Sequence, residues 1–419
     1  MHVLHTILRL VHHLTRGRLG PALLLVGLAA TGCATTGQAF ADLEYPEAVS
    51  NLHTVEVGSV EVTYADQGQG EQAVVLIHGL GSYLPVWKNN VPALAERYRV
   101  IAIDLPGYGK SSKSEDYAYS MAFFAEVVQG VIEQLELHQP VVVGHSMGGQ
   151  IALTHALRYP GVARALVLTS PAGLETFEDG EAKWLADAVT DEFTCLTPPD
   201  VVYERLAANF YRMPKDARFM ATDRVAVIGG PDFPQYCQAV SRSVRAMLDE
   251  PVYERLPEVT APVLVLFARQ DPLIPNPFLH GGSTERMARR TVKQLPHAEL
   301  KILRKTGHMA QFESHAAWNE AVLEFLAKLP APALKTEPTE QTEKNEKNEK
   351  NEQTETTEGD GKDASDGEDA GDVEDANEAE DAGDADADAV EDGADADADT
   401  AGEDEATPAG DGESDEERP

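Results

Sequence analysis

The chain is poor in several features that would define its class. It has 3 cysteines in 419 residues. Cys33, Cys195 and Cys237 are too few and too scattered for a disulfide scaffold or a thiolate metal cluster. The net charge is −37 and no basic stripe interrupts it, so a nucleic-acid partner is not expected. The glycine-rich stretch Gly144–Gly149 lacks the Lys-Ser/Thr ending of a phosphate loop. No dinucleotide fingerprint and no metal-ligand spacing occur, so neither cofactor nor metal is expected. The apolar run near the N-terminus, Pro21–Ala30, is ten residues long, about half of the ~20 needed to span a bilayer. Aromatic residues stop at Phe325.

The acidity is unevenly placed. Residues 331–419 carry a net −29 of the total −37. They include the three-residue period Glu343-Lys-Asn-Glu-Lys-Asn-Glu-Lys-Asn-Glu352 and Asp-Ala repeats. Such a segment buries too little apolar surface to offset ordering entropy and is expected to be a solvated, self-repelling, disordered tail. The rest of the chain is mildly acidic, which suits a soluble enzyme domain.

At the other end, Arg9, Arg16 and Arg18 precede the apolar run, and Ala30-Thr31-Gly32-Cys33 follows it. The length suits a signal-peptide core. The four residues resemble a bacterial lipobox, with Ala30 where Leu is usual. The resemblance implies a diacylated Cys33 as mature N-terminus. It also implies attachment to the cell envelope, at the outer membrane or in the periplasm, because Ala34 does not carry the Asp signal for inner-membrane retention. A lipid anchor attaches a protein without a spanning helix. The alternative is an ordinary secretory signal cleaved near Ala39.

Between these ends the pattern is that of an α/β domain. Residues 52–64 read as a β-hairpin around Gly58-Ser59. Val74–Ile77, Val100–Ile103, Val141–Val143, Ala165–Leu168 and Val263–Phe267 are short continuous apolar runs, as expected of strands buried on both faces of a parallel sheet. Helical stretches such as Tyr119–Leu135 separate them, which argues for a mostly parallel, doubly wound sheet. The alternation stops after Pro171 and resumes at Val263. The predicted division is a signal peptide over 1–33, a tether over 34–50 and a core over 51–172 and 259–330. A helical cap covers 173–258, and the tail runs over 331–419. Cys195 and Cys237 both fall in the cap, where they either pair in an oxidising compartment or remain separate buried thiols. The cap aromatics, Trp184, Phe193, Phe210, Tyr211, Phe219, Phe233 and Tyr236, are expected to fill the cap's own core more often than the site.

Gly144-His145-Ser146-Met147-Gly148 fits a nucleophile elbow, G-x-S-x-G. It follows one apolar run and precedes a helix. That context puts Ser146 at a helix N-terminus, where backbone N–H groups favour developing negative charge. His78-Gly79-Leu80-Gly81 follows the first buried strand. Asp104 opens the glycine-rich turn Asp104–Gly109. Asp271 follows the strand Val263–Phe267. His308 sits in Thr306-Gly-His-Met, after the strand-like Leu300–Leu303. Strand C-terminal ends are where open α/β sheets carry their sites.

Taken together, these residues resemble the α/β-hydrolase superfamily, in particular its capped esterase and carbon–carbon hydrolase branch. The resemblance runs from His78-Gly79 through Trp87, Arg99–Gly109, Gly144–Gly149, Asp271 and Gly307-His308 to Glu313. It implies Ser146 as nucleophile, Asp271 as acid and His308 as base, in the order Ser, acid, His. It also implies an oxyanion hole from the backbone N–H groups of Leu80 and Met147. Asp104 precedes the nucleophile and is read as structural, and His78 as a loop-packing residue.

A serine at the elbow argues against the dehalogenase and epoxide-hydrolase branches, whose nucleophile is a carboxylate. The expected reaction is hydrolysis of small or medium carboxylic esters through an acyl-enzyme. Hydrolysis of a diketone carbon–carbon bond uses the same triad, although that branch often has Asn where His145 stands. A proline-type aminopeptidase and a perhydrolase are further enzymatic alternatives. An anchored binding protein on a hydrolase fold is the non-enzymatic one.

Overall fold

The computed structural model describes residues 37–330. Cys33, the signal region and the acidic tail lie outside the described residues. The strands are β1 (Leu52–Val57), β2 (Val60–Gln67), β3 (Ala73–Ile77), β4 (Arg99–Ile103), β5 (Val141–His145), β6 (Ala165–Thr169), β7 (Val263–Ala268) and β8 (Ala298–Leu303). They form one sheet in the order β1-β2-β4-β3-β5-β6-β7-β8. The β1–β2 hairpin adds antiparallel to β4, and all other pairings are parallel. The apolar runs explain the placement. Every residue of β3, β5, β6 and β7 is buried, as helices on both faces require. The edge strand β1 instead shows mixed exposure.

Helices α1 (Val91–Ala95), α2 (Met121–Gln134) and α3 (Met147–Arg158) connect the first strands. Ser120 caps α2 by accepting the Phe123 N–H at 2.9 Å, a bond that satisfies one orphan donor of the first turn. The Glu250 carboxylate accepts two more, from Met121 and Ala122.

The expected all-helical insertion is present. It comprises α4 (Asp179–Ala188), α5 (Asp191–Cys195), α6 (Pro199–Ala207), α7 (Arg218–Val227) and α8 (Phe233–Asp249). Helices α9 (Thr284–Thr291), α10 (Ala310–Glu313) and α11 (His315–Lys328) complete the core. Cys195 and Cys237 are joined in a disulfide that ties α5 to α8. Among the described residues no helix is long and apolar enough to cross a membrane.

Two sequence expectations need correction. The described part of the 34–50 tether is packed, with Phe40, Leu43 and Val49 buried. Three apolar side chains in ten residues were enough to seat the segment against the domain. Of the cap aromatics, Phe210, Phe233 and Tyr236 are buried, whereas Trp184, Phe193 and Tyr211 are about half exposed. These last three therefore do not fill the cap's core.

The cross-link joins cysteines 42 positions apart in the sequence. Replacing both cysteines by serine should lower stability by about 2–4 kcal/mol. A thermal melt of the double variant beside the parent, with a non-reducing peptide map, checks this. Equal melting temperatures and free thiols in the parent would refute it.

Candidate active site

The site begins where β5 ends. Ser146 has φ 53° and ψ −119°, a strained conformation for a residue with a side chain. The surroundings enforce it. The Ser146 N–H donates to Thr169 O at 3.0 Å, and its carbonyl accepts from Gly149, Gln150 and Ala172. A Cβ at Gly144 would meet the Gly148 carbonyl oxygen at 2.1 Å, so helix and strand come this close only without side chains there. Met147 is the first residue of α3, where N–H groups have no partner within the helix.

His308 and Asp271 are brought together from two different loops. His308 Nδ1 lies 2.9 Å from Asp271 Oδ2, and both side chains are buried. Asp271 Oδ1 accepts the Leu273 and Ile274 N–H groups at 2.9 and 3.1 Å. Burial pushes the Asp271 carboxyl up. The His308 imidazole and these donors outweigh burial, and the pKa lies below the ordinary carboxylate value. The carboxylate is therefore ionised and aimed at Nδ1. Ser146 and His308 both face one cavity.

His145, between Gly144 and Ser146, has a role that the sequence did not reveal. Its Nε2 donates to the His308 carbonyl at 3.0 Å, and the two rings lie 4.9 Å apart. Burial, then the neighbouring His308, lowers its pKa to about 3. His145 is thus a neutral donor that holds the backbone of His308.

The loop carrying Leu80 lies against the elbow, since a Cβ at Gly79 would come within 3.0 Å of the Ser146 Cβ. His78 fixes its start. Its Nε2 accepts the Leu105 N–H at 3.0 Å, and its Nδ1 faces Gly79 O at 2.8 Å. This is the packing role expected of it. The cap fixes the loop's other side. The Arg224 guanidinium of α7 donates to Gly81 O and lies over the Tyr236 ring. The Tyr236 hydroxyl also reaches Gly81 O, at 3.4 Å.

Asp104 is structural, as read from its position. It is fully buried and accepts the N–H groups of Leu84 and Lys110. It also accepts the hydroxyl of Tyr45, from the segment read as a tether. Burial raises its pKa.

Glu313 ties the His308 loop to the cap. Its carboxylate accepts N–H groups from Gly307, Tyr211 and Arg212. On another wall His280, in the loop after β7, bridges Glu175 and Glu181 of the cap segment, at 2.6 and 3.2 Å. Hydrogen bonding to Glu175 leads the effects that raise the His280 pKa.

Cap and core enclose a cavity of about 1000 Å³, at the top of the usual ~300–1,000 Å³ for small-molecule sites. Val240, Val244 and Met247 of α8 supply much of its apolar wall, and Leu80, Ser146 and His308 stand on the core side. Among the described residues no group of three or more His, Cys, Asp or Glu could hold a metal ion.

The comparisons with known proteins identify the fold. A sequence model of the alpha/beta hydrolase fold matches residues 72–315. A 2-hydroxy-6-oxononadienedioate/2-hydroxy-6-oxononatrienedioate hydrolase of Burkholderia vietnamiensis is 30% identical over 290 residues, covering 66% of this chain and 95% of that protein. The uncharacterized hydrolase YugF of Bacillus subtilis is 28% identical over 282 residues, covering 67% of this chain and 99% of that protein. A mutant meta-cleavage product hydrolase from Pseudomonas fluorescens, solved with acetates, has a TM-score of 0.54 at 26% identity, covering 66% of this chain and 98% of that one. With that match over more than half its length, this chain belongs to the α/β-hydrolase fold family and is a hydrolase of that fold.

Proposed function

We propose that the protein is a serine hydrolase that cleaves carboxylic esters through an acyl-enzyme. What carries the reading is the 2.9 Å pair of His308 and Asp271 facing the cavity that also holds the strained Ser146. Ser146 Oγ attacks the ester carbonyl and its proton passes to His308 Nε2. The tetrahedral oxyanion accepts the N–H groups of Leu80 and Met147. Collapse breaks the C–O bond, and the leaving alcohol takes the proton from His308. Water then attacks the acyl-enzyme with His308 as base, which frees the acid and restores the serine. Asp271 orients the imidazole and stabilises its cationic form.

Hydrolysis of a carbon–carbon bond is the second reading, because the named activity of the Burkholderia vietnamiensis relative is on dicarboxylates. The charges in this cavity favour the ester. Its cationic side chains are Arg205 and Arg224. Arg224 is held on Gly81 O, and Arg205 lies over the Phe193 ring. Glu175, Asp179, Asp223 and Glu254 line the same space, and like charge repels a dianion.

We propose further that the chain is anchored by a lipid on Cys33. The Cys195–Cys237 disulfide fits the oxidising envelope that such an anchor implies. Metabolic labelling with a fatty acid should tag the protein and lose the tag in Cys33→Ser. An unlabelled, released product would refute the anchor.

Fluorophosphonate should label the parent and not Ser146→Ala, with both proteins folded by circular dichroism. His308→Ala and Asp271→Asn should each lower kcat on p-nitrophenyl esters by roughly 10⁴-fold. Undiminished labelling of Ser146→Ala would move the nucleophile elsewhere. On a mixed panel, p-nitrophenyl esters should be turned over far faster than a ring-fission diketone. The reverse order would replace the ester reading by the carbon–carbon one.

A further inference from the structure

Four large apolar side chains line the cavity and yet face solvent. They are Trp184 at 52%, Phe193 at 50%, Leu273 at 45% and Phe278 at 85% exposure. They come from α4, from α5 and from the loop after β7, so separate segments converge on one apolar rim. Scattered exposed apolar residues need no explanation, but a group continuous with an apolar cavity marks an interaction surface. Phe and Leu side chains that enter a membrane, with Trp at its headgroup level, are the usual makeup of an interfacial contact.

The N-terminal segment decides between a bilayer and a protein as occupant. Gln38 N–H donates to Ala226 O at 2.9 Å. A Cβ on Gly37 would collide with the Ile228 carbonyl oxygen at 2.2 Å. Phe40, Val227 and Ile228 line the cavity. The chain therefore leaves the domain from the cap side of the cavity. Cys33 stands four residues before Gly37, and four extended residues span at most about 14 Å. A lipid on Cys33, as proposed above, would hold the bilayer within that reach of the cap.

We propose that this rim is a membrane-docking surface through which acyl lipids of the bilayer enter the cavity. The docking rests on the Cys33 anchor proposed above, and the identity of what enters rests on the serine-hydrolase reading. A rim seated among acyl chains would continue the membrane interior into the cavity, so a lipid ester could reach Ser146 without exposing its chain to water.

Fluorescence tests the docking directly. The chain has 3 tryptophans, and Trp87 and Trp318 are fully buried, so a membrane quencher reads Trp184. Full-length Ser146→Ala protein on zwitterionic phosphatidylcholine vesicles should lose Trp184 emission when the lipid chains are brominated. With Ser146 present, Phe278→Asp should lower the ratio of vesicle-lipid hydrolysis to p-nitrophenyl butyrate hydrolysis by about tenfold. Vesicle-bound protein with unquenched Trp184 would overturn the proposal and leave the rim to a protein partner. Protein that does not join the vesicles would overturn it as well. Quenching without hydrolysis of any ester would sink the hydrolase reading and leave the docking surface standing.

Discussion

At Ser146 three backbone segments are in contact, and no side chain fits between them. A methyl group on Gly144 would lie 2.1 Å from the Gly148 carbonyl oxygen, and one on Gly148 would lie 2.4 Å from that of Ile77. The C-terminal ends of β5 and β3 and the first turn of α3 are thereby locked together. Between them Ser146 takes a backbone conformation that costs on the order of 1–3 kcal/mol. Its N–H and carbonyl are held by Thr169, Gly149, Gln150 and Ala172, which is how the surroundings over-determine it. The serine's direction is thus set by the backbone, and the cavity, the His308 loop and the Leu80 loop are arranged around a fixed point.

The cap helps to build the site as well as cover it. Arg224 and Tyr236 hold Gly81 O on the Leu80 loop, and the Glu313 carboxylate joins the His308 loop to Tyr211 and Arg212. Both loops that would position reacting groups are therefore fastened from above and below. His280, between Glu175 and Glu181, fastens the wall near Asp271 in the same manner. The disulfide from α5 to α8 keeps the cap's own helices in register with each other.

The centre of the sheet was legible because β3, β5, β6 and β7 are buried on both faces, which leaves short continuous apolar runs. Asp271 and His308 were legible through their position after strands, and the structure places them 2.9 Å apart. The seating of residues 37–50 was not legible. Phe40, Leu43 and Tyr45 show no period, and their value lies in partners far along the chain, Tyr236 for Phe40 and Asp104 for Tyr45. The cap ties were hidden for the same reason. An arginine in an amphipathic helix reads as surface, and only the fold reveals that Arg224 meets a carbonyl 143 residues away. The exposed cap aromatics misled because aromatic composition predicts burial on average, while a rim needs the opposite.

His145 shows what the position before the serine requires. In the proposed cycle His308 becomes cationic, with a second imidazole 4.9 Å away. A ring of ordinary pKa there would compete for the proton or repel the charge. Burial holds His145 at about 3, so it stays neutral through the working range and His308 alone exchanges protons. Its Nε2–H is committed to the His308 carbonyl, which fixes the tautomer. Its buried Nδ1 has no partner among the described residues, a desolvation cost that the fold tolerates. The position therefore requires a donor to the His308 backbone, not a base, and an amide side chain would satisfy the same need. That equivalence explains why His145 alone does not separate the ester reading from the carbon–carbon one. The acidic side chains that line the cavity, Glu175, Asp179, Asp223 and Glu254, are what supports the proposed ester reading, since like charge repels a dianion.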